Sequence, residues 1–360
     1  MLAPLVVAFA TALGGTGVYV RWATGRVLDV PNDRSSHTRP TPTGGGVVIV
    51  GGFLLGLGVW LTSSPSLLSP RALGWITGAL LVAGVSFVDD LHPLPAVPRL
   101  LTHGLGAVLL TVVGVQDREL PLLVALPLAF VWIALLTNVY NFMDGIDGLA
   151  SCQAIIAGAA MALAGIAVRN PLVATGAGLL AAASAGFVFF NLPPARVFMG
   201  DVGSTFLGFS FAGLSLLGNL GVGGGRLPVE FGVVVLAPFL FDSLVTLARR
   251  IARRERWFAA HRSHYYQRLV QVGLSHGQVT GLYACLGVAA AGAGLAGLSL
   301  QRPLREVIAV LAYVPMLGVV ALVWRLETIR RSAGLGQSQR PTDPMEQLNE
   351  ASTVVTHGHS

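Results

Sequence analysis

Apolar runs long enough to cross a hydrocarbon layer follow one another along almost the whole chain. A helix needs about 20 residues, at about 1.5 Å each, to span a bilayer core. Segments of that kind fall near 2–20, 44–61, 71–88, 99–115, 121–138, 150–167, 172–190, 204–222, 229–248, 277–298 and 305–324. In lipid each backbone polar group must be satisfied within its own segment, so runs of this length are helices. The expected fold is an all-α polytopic membrane protein with about eleven transmembrane helices (ten or eleven). Only 11% of the residues are charged, against about 25% in soluble domains.

The membrane unit is placed at 1–331. The polar residues 332–360 are expected to form a disordered cytoplasmic tail. The first run, from Leu2 to Val20, lacks a positive leader and a clear cleavage site before Arg21, so it reads as a retained helix. Cys152 and Cys285 lie inside apolar segments and read as small packing residues, with no disulfide framework.

All 23 basic residues are Arg, and their placement orients the chain. One set of alternate loops, with the C-terminal tail, holds every Arg but six: Arg71, Arg118, Arg169, Arg226, Arg302 and Arg305. Arg and Lys concentrate in cytoplasmic loops. The N-terminus is therefore expected outside and the C-terminus in the cytoplasm, in an inner (plasma) membrane. The acidic motifs then share the cytoplasmic face, although the Arg tally did not require it.

Carboxylates near hydrocarbon are costly and mark function by default. Asp89 and Asp90 close the third segment; they read as a metal or phosphate site or a base, or else as an idle solvated helix end. Asn138, Asn141, Asp144 and Asp147 recur every three residues, and their oxygens suit a hard cation such as Mg²⁺. Gly145 and Gly148 would let backbone approach a ligand. Asp201, in Phe198-Met199-Gly200-Asp201, stands at a helix start that favours phosphate, or caps that helix. Asp242 lies deepest, between Val233–Leu240 and Leu244–Leu247. His261-Arg262-Ser263-His264-Tyr265-Tyr266 offers donors and rings for a phosphate or sugar, beside five Arg that suit lipid headgroups. Gly44, Gly45 and Gly46 read either as a ligand approach or as close helix packing.

Together these motifs resemble the polyprenyl-phosphate N-acetylhexosamine-1-phosphate transferases (glycosyltransferase family 4). The resemblance runs from Asp29 to about Arg268. It is most specific in Asn138-Val-Tyr-Asn141-Phe-Met-Asp144-Gly-Ile-Asp147-Gly and Phe198-Met-Gly-Asp201-Val-Gly-Ser. It implies Mg²⁺-dependent (or Mn²⁺-dependent) transfer of N-acetylhexosamine 1-phosphate from a UDP-sugar to undecaprenyl phosphate, releasing UMP. By motif position, Asp89 and Asp90 match a pair of which one is held to deprotonate the lipid phosphate. Asp242 matches a metal-binding Asp, with Asn141 as second ligand. Asp147 and the Gly145-Ile146 backbone match uridine contacts, Phe239 is placed to stack on uracil, and Arg39 matches a basic nucleotide contact. Asn138, Asp144, Asp201, His261, Arg262 and His264 complete the expected substrate-binding set. Only His264 falls on a family His of the last large loop. That departure points away from the muramoyl-pentapeptide branch and towards enzymes that start O-antigen or other surface polysaccharides, some of which take 6-deoxy sugars.

The partners implied are undecaprenyl phosphate, a UDP-N-acetylhexosamine, membrane lipid and, as an option, a second copy in a homodimer, but no nucleic acid. A cation- or proton-coupled transporter is the competing class, since intramembrane Asp residues serve there too. An intramembrane aspartyl protease would leave the Asn-Asp series unexplained.

Overall fold

The computed structural model describes residues 2–31, 39–65, 68–92, 94, 101–102, 104–106, 108–110, 121–256 and 261–333. The expected tail therefore lies outside the described residues, save for its first two positions. So does much of the 99–115 segment, which is helical where it is described.

The helices are α1 (Leu2–Ala23), α2 (Val47–Ser63), α3 (Pro70–Leu91), α4 (Leu122–Phe142), α5 (Leu149–Ala167), α6 (Pro171–Asn191), α7 (Gly200–Asn219), α8 (Val229–Val235), α9 (Ala237–Ala252), α10 (Tyr265–Gln271), α11 (His276–Gly297), α12 (Arg302–Leu311) and α13 (Val314–Ser332). One two-residue ribbon, β1 (Leu28–Asp29) against β2 (Thr41–Pro42), is antiparallel and leads into α2. Among the described residues, seven helical stretches are long and apolar enough to cross a membrane, and α8 with α9 makes an eighth if the bent pair is one span. α2 falls short at 17 residues.

Helix starts follow local chemistry. Ser69 accepts a hydrogen bond from Ala72 N, with Pro70 following it, and Asn170 does the same for Val173 N ahead of Pro171. Ser275 and Gln278 form a reciprocal capping box on α11.

One expected single span is broken, and a second keeps a short irregular turn within one span. The 229–248 segment bends by 79° between α8 and α9. Pro238 sits in the first turn of α9 and has no N–H to continue the ladder from α8. The 305–324 segment pauses at Ala312-Tyr313, with Pro315 in the first turn of α13.

α7 is the centre. It packs against α3 on one side and α4 on the other, and it also touches α2, α5, α6 and α8. Nearly all its residues between Val202 and Gly218 are buried. That setting explains its small and polar composition: protein, not lipid, surrounds it. Close approach rests on glycine. A Cβ on Gly208 would stand 2.7 Å from Leu136 O, and one on Gly213 would stand 2.4 Å from a Trp75 ring carbon. α5 and α6 pack the same way, Gly158 and Gly165 lying against Ala177, Ala181 and Ala174.

The Gly44–Gly46 run serves close packing. Gly45 N donates to Phe198 O at 3.0 Å and Gly46 N to Met199 O at 2.7 Å, while Phe198 N donates to Pro42 O at 2.7 Å. A Cβ on Gly46 would lie 2.3 Å from Gly203 Cα, a backbone atom that cannot rotate away. Gly46→Ala is expected to destabilise the fold by about 1–3 kcal/mol, the usual cost of overpacking. Thermal unfolding of the purified protein in detergent would read this as a lowered midpoint; an unchanged midpoint would contradict the contact.

Candidate active site

Asp90 stands in the last turn of α3 and reaches the first turn of α7. Its Oδ1 accepts Asp201 N at 2.8 Å and its Oδ2 accepts Val202 N at 3.0 Å. α7 has no side-chain cap of its own. Asp90 therefore supplies the anion that the positive end of the helix favours. Gly200 makes this possible: its φ is +73°, and a Cβ there would stand 2.6 Å from Asp90 Oδ2 and 2.8 Å from Gly44 N. The Tyr19 hydroxyl donates to Thr43 O at 2.7 Å and steadies the same turn from α1.

Asn141, at the end of α4, faces this point. Its Nδ2 donates to Asp201 Oδ1 at 2.8 Å and to Ser204 Oγ at 3.0 Å. Asp144 follows in the α4–α5 loop. Its carboxyl is raised well above the ordinary range by burial first, then by Asp201 and Asp90. Three carboxylates on three elements thus feel one another across a small region. The donor types are those of a hard cation site, and a divalent ion would relieve their repulsion. Among the described residues no three His, Cys, Asp or Glu side chains are drawn into a ready-made cage. The carboxylates converge without chelating.

The expected site residues divide from here. Asp89 turns away from its neighbour, its Oδ1 accepting Leu94 N at 2.6 Å. Asn138 donates into its own helix, to Ala134 O at 2.7 Å. Arg39 is exposed at the entry to β2. Asp147 joins three elements: it accepts Ala195 N at 3.0 Å, pairs with His276 Nδ1 at 3.1 Å, and its carbonyl accepts Thr280 Oγ1 at 2.7 Å. Burial pushes its carboxyl up, but the His276 hydrogen bond and the Ala195 N–H outweigh that, and the net shift is downward.

Asp242 departs furthest from the expected pairing with Asn141. It is 1% exposed. Its Oδ1 accepts Tyr265 N at 2.9 Å, His264 Nδ1 at 3.2 Å and Thr246 Oγ1 at 3.3 Å. Its Oδ2 accepts Tyr266 N at 3.0 Å and the Tyr283 hydroxyl at 2.5 Å. Five donors from this chain occupy the carboxylate, which caps α10 and locks it to α9 and α11. Asn141 bonds Asp201 instead. Phe239 also differs from expectation: it is fully buried, its ring 5.1 Å from that of Tyr140. His264 is spent on Asp242. His261 lies beside it, ring centroids 5.0 Å apart, and is lowered to about 4 by burial, then by His264, Arg250 and Arg249. It is neutral at physiological pH. Arg262 is partly buried, and its carbonyl accepts Gln271 Nε2 at 2.8 Å.

Three residues at or around the site escaped the sequence reading: Tyr19, His276 and Tyr283. Each has a polar group in or beside an apolar segment, which was the available signal. Their partners are 24 to 129 positions away, so spacing could not name them.

Replacing Asp242 by Asn tests its role. A carboxamide cannot accept from donors on both of its heavy atoms, so Asp242→Asn is expected to cost about 3–5 kcal/mol of stability. Thermal unfolding would show it. A variant as stable as wild type would mean that the network is not structural.

A family model described as Glycosyl transferase family 4 matches residues 72–219. The chain is 30% identical over 259 residues to a probable undecaprenyl-phosphate N-acetylglucosaminyl 1-phosphate transferase of Bacillus subtilis (strain 168), covering 69% of this chain and 71% of that protein. It is 27% identical over 339 residues to a decaprenyl-phosphate N-acetylglucosaminephosphotransferase of Mycobacterium leprae (strain TN), covering 81% of each. A phospho-N-acetylmuramoyl-pentapeptide-transferase of Lactiplantibacillus plantarum is 32% identical over 200 residues, 49% of this chain and 61% of its own.

Proposed function

The chain belongs to the polyprenyl-phosphate N-acetylhexosamine-1-phosphate transferases, and on that premise we propose that Asp90, Asn141, Asp144 and Asp201 form its reaction centre. The protein transfers N-acetylhexosamine 1-phosphate to polyprenyl phosphate. The transporter alternative finds no support among relatives named as transferases. The observation that carries the site is the meeting of three carboxylates and Asn141 at the start of α7.

Two polyanions must meet here, a lipid phosphate and a sugar nucleotide, and phosphoryl transfer is mostly positioning and electrostatics. Asp144, Asp201 and the carboxamide oxygen of Asn141 would hold a divalent cation, Mg²⁺ or Mn²⁺. When bound, it neutralises charge on the pyrophosphate. Asp90 holds the α7 N-terminus and with it Asp201. Asp89 and Asp90 border the site as the pair from which a base for the lipid phosphate is drawn. A lipid phosphate oxygen attacks the sugar-linked phosphorus in line. One phosphorus–oxygen bond forms, the bond to the nucleotide phosphate breaks, and UMP leaves. His261, Arg262 and Arg39 are the expected residues left to contact the donor.

The relatives' names support N-acetylglucosamine as the sugar and an undecaprenyl or decaprenyl acceptor. The eleven-helix topology, with this site on the cytoplasmic side, is supported by the Arg distribution and by the supply of sugar nucleotides there.

Full-length protein in detergent, given undecaprenyl phosphate, Mg²⁺ and a panel of UDP-N-acetylhexosamines including 6-deoxy forms, is expected to release UMP only when lipid is present. Asp201→Asn and Asp144→Asn should lower the rate at least about a hundredfold while remaining folded. Folded variants with wild-type rates would remove these residues from the reaction.

A further inference from the structure

The Asp242 network reaches the acidic cluster through Tyr266. Asp242 fixes the first turn of α10 by accepting the Tyr265 and Tyr266 N–H groups. From that turn the Tyr266 hydroxyl donates to Phe142 O at 3.0 Å. Phe142 ends α4, next to Asn141 and two residues before Asp144. A Cβ on Gly145 would stand 2.1 Å from the Tyr266 hydroxyl and 3.1 Å from its ring carbon Cζ. The α4–α5 loop is therefore built against this ring, and Gly145 is the position that admits it.

Tyr266 has little freedom to move. It is fully buried, with its ring stacked near His264 at 5.8 Å between centroids. Burial, then Asp242 and Asp144, push its hydroxyl well above the ordinary range, so it remains a protonated donor. A neutral donor beside a carboxylate-rich loop can hold the loop without adding charge to it.

We propose that Tyr266 is a positioning residue. Seated by Asp242, it holds the Phe142–Gly145 backbone and so sets Asn141 and Asp144 against Asp201 for divalent-cation binding. This deepens the reading of the acidic cluster given above and rests on it. Asp242 acts on the site through α10 and Tyr266, at one remove from any ligand, and Gly145 acts by leaving room for the ring.

Mn²⁺ titration of the full-length protein in detergent, followed by electron paramagnetic resonance, needs neither donor nor acceptor. Tyr266→Phe removes only the hydroxyl and keeps the backbone N–H on Asp242. It is expected to weaken Mn²⁺ binding about three- to tenfold, the scale of one net hydrogen bond. The unfolding temperature should stay near wild type, and faster amide exchange should be confined to 142–148. Gly145→Ala should also weaken binding. Combined with Tyr266→Phe, it should cost less than the product of the two, because the added methyl no longer meets a hydroxyl. Asp144→Asn reports on the cluster itself. If Asp144→Asn weakens Mn²⁺ binding and Tyr266→Phe does not, the positioning role is overturned and the cluster stands. If Asp144→Asn leaves binding intact, the cluster reading fails and takes this proposal with it. A Tyr266→Phe protein that loses global stability while binding Mn²⁺ normally would also overturn it.

Discussion

One carboxylate bridges two helices at the point on which the site depends. Asp90 accepts two first-turn N–H groups of α7, those of Asp201 and Val202, 2.8 and 3.0 Å away, from the far end of α3. These are orphan donors at the positive end of a helix dipole. Leaving them unmet inside a packed membrane protein would be costly. The contact therefore fixes the depth and rotation of α7 relative to α3, and Asp201 moves with it. Gly200 and Gly46 follow from the same requirement, since a side chain at either would displace the carboxylate or the backbone beside it, and one at Gly44 would meet the Tyr19 hydroxyl 2.9 Å away.

A second carboxylate does comparable work with a different outcome. Asp242 gathers five donors. Burying a charge is tolerable when hydrogen bonds saturate it. This one joins α9, α10 and α11 and presents Tyr266 to the α4–α5 loop. Asp90, Asp144 and Asp201 instead crowd one another: burial and the charges of Asp201 and Asp90 raise the Asp144 carboxyl.

The site also rests on loops tied to each other. Asp147 links the α4–α5 loop to Ala195 in the α6–α7 loop and to His276 at the head of α11. Asn191 accepts from Ser151 at 2.7 Å and donates to Val197 O at 3.0 Å, closing the same corner. Rigid helices thus carry short connections whose polar groups satisfy one another, as a preorganised site for two anionic substrates requires.

The apolar runs determined by themselves that the chain is a helical membrane protein, because hydrocarbon leaves the backbone no other economy. The motifs around Asn141, Asp144 and Asp201 likewise marked the candidate site, since clustered oxygens beside apolar segments have few other uses. Local pattern did not reveal which carboxylates cooperate. Asp242 was the most deeply placed and looked most like a ligand, yet its partners Tyr265, Tyr266 and Tyr283 lie 23 to 41 residues away. Phe239 was expected at a nucleobase and lies under Tyr140. The 229–248 run was expected as one span, but it bends by 79° at the α8–α9 break, where Pro238 lies in the first turn of α9. Tertiary structure alone decided these points. A carboxylate becomes a cap or a ligand according to how many donors its neighbours supply, and those neighbours are distant in the chain.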